Sequence, residues 1–148
     1  MNFTPNRINF FKLPSVWWCG IRVTKIDDIS CQVKVVHRWI NQNPFKSMFW
    51  AVQGMAAELT TGVLIMEAIH NSRRKVSMLV LNNRANFSKK ARGKVLFECD
   101  EKQKLIKSMN TLIKTQEPQT ILLTSKGIDQ NGDIVSTFEF EWTLLLKN

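Results

Sequence analysis

Apolar and polar residues follow two rhythms along this chain, and the switches between them predict its elements. Residues 31–36 set Cys31, Val33 and Val35 against Gln32, Lys34 and Val36, the period of two expected of a half-buried strand. Two strands are expected here, over residues 18–26 and 29–38, with Asp27-Asp28 as the turn between them. Ahead of them, residues 7–13 fit a short helix or a turn that Pro14 stops. Asn43-Pro44 then reads as a helix start, with Asn at the cap and Pro at the first helical position, and the helix should run to about Ala68. On a helical wheel Phe49, Val52, Ala56, Leu59, Val63 and Met66 fall on one face. Ser47, Ala51, Gly54, Glu58, Thr61 and Ile65 form the opposite, small and polar face. A helix apolar around most of its circumference is wrapped by other structure and does not lie on a surface.

The rhythm of two returns after Lys75. Strands are expected over residues 76–87 and 92–100, separated by a basic turn. Residues 102–114 carry Leu105, Ile106, Met109, Leu112 and Ile113 at helical spacing, with Asp100 as the expected cap. Residues 120–128 and 134–146 flank Asn131-Gly132, a strong signal for a two-residue hairpin turn. In the last strand Phe138, Phe140, Trp142 and Leu144 alternate with Glu139, Glu141 and Thr143, giving one buried and one wet face. The sum is an α+β domain in which a curled, mostly antiparallel sheet surrounds a single buried helix.

The chain has 148 residues, which fits one domain over residues 1–148 with no repeat, linker or low-complexity tract. Its 44% hydrophobic and 22% charged residues exclude a disordered basic tail. Three cysteines, Cys19, Cys31 and Cys99, are too few and too scattered for a disulfide framework or a zinc site. His37 and His70 have no ligand spacing, so no metal is expected. The N-terminal Met1-Asn2-Phe3-Thr4-Pro5-Asn6-Arg7 has no apolar signal region. Residues 47–66 are long enough to span a bilayer, but Gln53, Glu58, Thr60 and Thr61 make a membrane span unfavourable. A reducing cytoplasm is the expected compartment. The outstanding compositional feature is a net charge of +9, from 21 Lys and Arg against 12 Asp and Glu. It points to an anionic partner: nucleic acid, an acidic membrane surface or a phosphorylated small molecule.

Chemistry concentrates in Asn43-Pro44-Phe45-Lys46-Ser47-Met48-Phe49-Trp50-Ala51 and its continuation Ala56-Ala57-Glu58-Leu59-Thr60-Thr61-Gly62. With these residues the chain, from about Leu13 to Leu146, resembles the hotdog-fold thioesterase superfamily, and in particular a branch known as a domain of unknown function. Relatives of the phenylacetate-pathway group carry Asn, His-Gly-Gly six residues later, and a catalytic Asp or Glu nine residues after the His. Asn43, Phe49-Trp50-Ala51 and Glu58 fall on those positions. Ala85-Asn86-Phe87-Ser88-Lys89-Lys90-Ala91-Arg92-Gly93 is similar to the family's basic turn beside the coenzyme A phosphates.

Glu58 is the one charged side chain between Lys46 and Glu67 on a helix expected to be buried. A lone buried carboxylate is costly unless paired or protonated. It is read either as a general base or nucleophile in thioester hydrolysis, or as a structural carboxylate. The resemblance implies an oxyanion hole from the amides of Trp50 and Ala51. Phe49 and Trp50 also fit plain core packing, and Asn43 fits a helix cap as well as a substrate contact. Thr61, one turn beyond Glu58, would orient a water or bond the preceding turn. Basic residues gather as Arg73-Arg74-Lys75 and as Arg84, Lys89, Lys90, Arg92 and Lys94. Of these, Arg84, Lys89, Lys90 and Arg92 are the expected coenzyme A contacts; a merely solvated face is the alternative. No helix-turn-helix, zinc finger or RNA-binding motif is present, which disfavours nucleic acid. The resemblance therefore implies an acyl-CoA or acyl carrier protein thioesterase of apolar acyl groups, with coenzyme A as part of the substrate and no resident cofactor. The expected assembly is a homodimer or a dimer of dimers. A non-catalytic acyl-binding protein is the alternative, favoured by Phe-Trp-Ala in place of His-Gly-Gly.

Overall fold

The computed structural model describes residues 4–147, so the reading of Met1-Asn2-Phe3 lies outside the described residues. Two short helices, α1 (Pro5–Lys12) and α2 (Pro14–Trp18), precede strands β1 (Arg22–Ile26) and β2 (Cys31–Val36). A single 3-10 turn, Trp39–Asn41, leads to the long helix α3 (Trp50–Ser72). Then come β3 (Val76–Phe87), β4 (Lys94–Cys99), α4 (Lys102–Thr115), β5 (Gln119–Asp129) and β6 (Ile134–Leu146). The strands make one antiparallel sheet in the order β1-β2-β4-β5-β6-β3. This sheet curls around α3, which meets β1, β2, β4, β5 and β6.

The strand alternation holds. In β2 Cys31, Val33 and Val35 are buried, and in β6 Phe138, Phe140, Trp142 and Leu144 are buried between half-exposed neighbours. Helix α3 is covered all round over residues 59–65, where every side chain is buried. Three polar contacts fix its rotation against the sheet. Thr60 Oγ1 lies 2.9 Å from Ser125 Oγ, Ser136 Oγ donates to Gln53 Oε1 at 2.8 Å, and Trp142 Nε1 donates to Thr61 Oγ1 at 3.0 Å. Lys102, at the start of α4, ion-pairs with Glu67 Oε2 at 2.7 Å and also donates to the Asp27 carbonyl. It thereby ties α4, α3 and the β1–β2 turn together. Cys31 and Cys99 face each other across β2 and β4 as free, buried thiols whose pKa burial pushes up to about 12.

Several local expectations are corrected. Helix α3 begins at Trp50 with Phe49 at the cap position, seven residues after Asn43. Asn43 does not cap it, because its side chain organises a loop of its own. Asn43 Oδ1 accepts from the Phe45 and Ser47 amides at 2.9 and 3.2 Å, and the Asn43 amide donates to the Ser47 carbonyl at 2.8 Å. Asn side chains offer the backbone such local alternatives to a helix. Trp18 belongs to α2, which Pro14 starts, so the first strand begins only at Arg22. Asp100 does not cap α4; Glu101 holds that position and its Oε2 instead accepts from the Thr124 amide at 2.6 Å. Asn131-Gly132 sits at the hairpin tip, with Gly132 at φ 84°, but the connection spans residues 130–133 because Asp129 Oδ1 gathers the Asn131 and Asp133 amides.

The sheet has two unlike edges. On β1 the Asn6 side chain acts as a substitute strand, donating to the Val23 carbonyl at 2.8 Å and accepting its amide at 2.9 Å. On β3 no such cover exists among the described residues, and Leu79 and Leu81 are exposed. A long bare edge of this kind is a ready pairing template.

Gly127 of β5 lies opposite Phe97 of β4, and a Cβ there would stand 2.6 Å from the Phe97 ring. Phe97 is fully buried, so it cannot swing aside. Gly127→Ala is expected to destabilise the fold by about 1–3 kcal/mol through overpacking, measured as a lowered urea midpoint with the slope unchanged.

Candidate functional site

The cover that the sheet provides for α3 is incomplete over its first two turns. Ala51, Gly54, Met55 and Glu58 follow the i, i+3, i+4, i+7 spacing of one helix face, and this face lines an open cavity of about 380 Å³. Val80 and Asn83 of β3, with Phe138 and Phe140 of β6, form the opposite wall, and Trp50 closes one end. Gly54 faces the Phe138 ring, which a Cβ there would meet at 3.5 Å, an ordinary contact.

Glu58 was expected inside a buried helix, and the structure corrects this: its side chain is exposed at the mouth of the cavity. The reason is that the sheet reaches round α3 fully only over residues 59–65. The apolar lining still strips part of the carboxylate's hydration, and this raises its pKa above the ordinary value. At the helix start, the amides of Val52 and Gln53 both donate to the Phe49 carbonyl, at 3.0 and 3.2 Å. The N–H groups of Trp50 and Ala51, in the first turn, have no acceptor within the helix and lie at the positive end of its dipole. Carboxylate and donors thus share one apolar cleft.

A second cavity of about 400 Å³ lies on the far side of Trp50, which lines both. Asn43, Phe45 and Ser47 come to it from the loop before α3, and Phe87, Lys89, Lys90 and Ala91 from the turn after β3. The Met48 amide donates to the Ala91 carbonyl at 2.8 Å and holds the two segments together. Lys90 Nζ stands 5.9 Å from the Phe45 ring centre, within cation–π range.

The expected site residues therefore divide. Glu58, Trp50 and Ala51 meet at one cavity; Asn43, Lys89 and Lys90 line its neighbour. Thr61 is buried and not at the cleft: its hydroxyl donates to the Glu58 carbonyl at 2.9 Å and accepts from Trp142. Arg84 lies on the other face of the sheet, where its Nε donates to Glu139 Oε2 at 2.7 Å. Lys89 Nζ bridges Asp129 and Asp133 at 2.7 Å each, so two carboxylates already neutralise it. Arg92 is exposed on the turn beyond Ala91. Arg73-Arg74-Lys75 follows the opposite end of α3, about 35 Å from Trp50 at the helical rise. Sequence reasoning missed Gln53, Asn83, Phe138 and Phe140. Asn83 faces the cleft because a bulge between Val80 and Asn82 reverses the strand's alternation, a shift with no signal in the sequence.

The curled sheet around one long helix is the hotdog fold, the architecture of the thioesterase superfamily. A Pseudomonas aeruginosa protein of unknown function, described as a probable thioesterase, superposes with a TM-score of 0.84 at 17% identity over 97% of this chain and 94% of that one. A Chlorobaculum tepidum protein of unknown function gives 0.83 at 12% identity, over 97% and 93%. Thioesterase HI1161 from Haemophilus influenzae gives 0.72 at 12% identity, over 99% and 93%. No curated protein matches the sequence. The chain belongs to the DUF4442 family, a domain of unknown function, which matches residues 6–144.

A carboxyl group with a raised native pKa costs stability wherever the native state must carry its charge. Glu58→Gln removes that cost. The variant is expected to be at least as stable as the parent at neutral pH, with the difference shrinking as the pH falls through the raised Glu58 pKa and vanishing below the unfolded value. Urea unfolding of both proteins across a pH series reads it directly.

Proposed function

We propose that this protein hydrolyses acyl thioesters with apolar acyl groups, acyl-CoA in preference to acyl carrier protein. The observation that carries the reading is that Glu58 and the first residues of α3, Trp50 and Ala51, line one mostly apolar cleft. Hydrolysis needs a base or nucleophile at the carbonyl carbon and donors where negative charge develops on its oxygen. Glu58 supplies the first and the start of α3 the second. Desolvation raises the Glu58 pKa above the ordinary carboxylate value, which makes its ionised form a stronger base. The carboxylate draws a proton from water as the hydroxide adds to the carbonyl, or adds to the carbonyl itself to form an anhydride that water then cleaves. Either route releases a carboxylic acid and the free thiol.

In this reading coenzyme A is part of the substrate and no resident cofactor is required. Its adenosine phosphates would meet Lys90 in the second cavity and the exposed Arg92 on the turn beyond it, with Asn43 in the same cavity wall. Arg84 and Lys89 contribute less, since both are engaged with carboxylates. The bare β3 edge and the open face of α3 favour a homodimer, or a dimer of dimers, that would roof the cleft. The cytoplasm, with reduced cysteines, is the proposed compartment. A second reading, acyl or acyl-CoA binding without turnover, is favoured by one observation: the bulky Trp50 lines both cavities, where a substrate spanning them would have to pass it.

A thiol-release assay over acyl-CoAs of graded chain length tests this. Turnover is expected, with kcat/KM lowered at least about 100-fold in Glu58→Gln while its circular dichroism is unchanged, and with the parent's rate falling as acid protonates Glu58. Tight acyl-CoA binding without turnover on any chain length would establish the binding reading instead. Trp50→Gly is expected to raise turnover if the indole obstructs the passage, read as an increase in kcat on the same substrates.

A further inference from the structure

Apart from the Glu58 cleft, the most unusual surface is aromatic. Trp39 is 84% exposed, Phe11 74% and Trp18 71%, with Phe10 and Ile40 about half exposed beside them. Hydrogen bonds and ring contacts join these residues into one region. Phe10 packs against Phe11 and Trp17 with ring centres 4.9 and 5.0 Å apart. Asn41 Nδ2 donates to the Cys19 carbonyl at 3.1 Å, which pins the Trp39–Asn41 turn to the end of α2. The sheet register agrees: Arg22, at the start of β1, pairs with Lys34 near the end of β2, so both aromatic segments leave the same end of that strand pair.

The charges carried by these segments have one sign, and the nearest carboxylates at this end of the sheet, Asp129 and Asp133, are paired with Lys89. Arg7 and Lys12 flank the α1 aromatics, the Arg22 guanidinium sits 3.5 Å over the Trp17 ring, and Arg38 precedes Trp39; burial first, and then the nearby Arg38, lower the Arg22 pKa. No Asp or Glu occurs over residues 4–26 or 29–57. Asp27 and Asp28 sit at the opposite end of β1, roughly 17 Å away at the rise of an extended chain.

We infer that this end of the molecule docks on an anionic phospholipid bilayer. Amphipathic Trp and Phe side chains enter the headgroup layer, and a fringe of Arg and Lys meets anionic headgroups. Side chains more than two-thirds exposed stand out from the surface, which suits insertion into a lipid layer better than the groove that stacks nucleic-acid bases. The Trp39–Asn41 turn is also tied to the start of α3, where the Glu58 cleft begins, since the Phe49 amide donates to the Asn41 carbonyl at 2.9 Å. Docking therefore sets the mouth of the cleft near the interface, where apolar acyl chains concentrate. The inference stands apart from the hydrolase reading, because binding is measured with no substrate present.

The test is co-sedimentation of the full chain with vesicles of phosphatidylcholine alone and with phosphatidylserine added, over a salt series. Binding to the anionic vesicles is expected, weakened by salt and accompanied by a blue shift of tryptophan emission. The double variant W18S/W39S is expected to lose about tenfold or more in partition coefficient, and R7E/K12E to lose binding with its circular dichroism unchanged. The charge pair decides the matter if the tryptophan variant fails to fold. Equal binding to both compositions, no binding to either, or full retention by R7E/K12E would overturn the inference. So would a change in solution mass of W18S/W39S, which would assign the aromatic surface to a second copy of the chain. Binding of single-stranded oligonucleotide lost in the same variants would likewise assign it to nucleic acid.

Discussion

Everything in this molecule depends on covering one apolar helix with one sheet. Helix α3 is 23 residues long, carries no charge from Leu59 to Met66, and is buried on every side over residues 59–65. A single face of sheet cannot bury such a helix unless it curls, and six antiparallel strands supply the curl. Thr60 with Ser125, Ser136 with Gln53, and Trp142 with Thr61 then set the helix at one rotation. Each is a buried polar pair that would be costly to separate, so together they choose which residues face the sheet and which are left over.

The site is what is left over. Full closure over residues 59–65 leaves the first two turns beside an uncovered strand edge, and there Ala51, Gly54, Met55 and Glu58 face a cleft instead of the core. The same geometry explains the state of Glu58. Water reaches its carboxylate, yet apolar neighbours crowd it enough to raise its pKa. A residue fully inside the sheet would be neutral and unreachable; one on an ordinary surface would be ionised and inert. The boundary between wrapped and unwrapped helix gives the intermediate condition that acid–base chemistry uses.

The charge excess sorts itself by structure. Arg84 and Lys89 answer carboxylates of β6 and of the β5–β6 hairpin, and Lys102 answers Glu67. Other cations are placed differently: Lys90 lines the second cavity beside Phe45, Arg92 is exposed on the turn beyond it, and Arg22 lies over the Trp17 ring in the aromatic N-terminal region. A net charge of +9 thus resolves into pairs that hold the fold and cations that face outward.

The alternation in β2 and β6 and the long apolar run of α3 were legible in the sequence, because side-chain period and burial are local consequences of strand and helix geometry. Glu58, Trp50 and Ala51 were legible as candidates for a similar reason, through their spacing on one element. The loop at Asn43 was misread because its side chain closes hydrogen bonds that compete with a helix, and their outcome depends on Met48 reaching Ala91 far along the chain. Asn83 was invisible, since one bulge decides which side of the sheet it takes. By itself, then, the sequence determined the elements, the helix that must be wrapped and the carboxylate that needed a reason. The tertiary structure alone decided where the wrapping stops, and with it that Glu58 stands at a cleft and that the aromatic ends of two distant segments share one surface, because coverage is a property of the closed sheet and not of any segment in it.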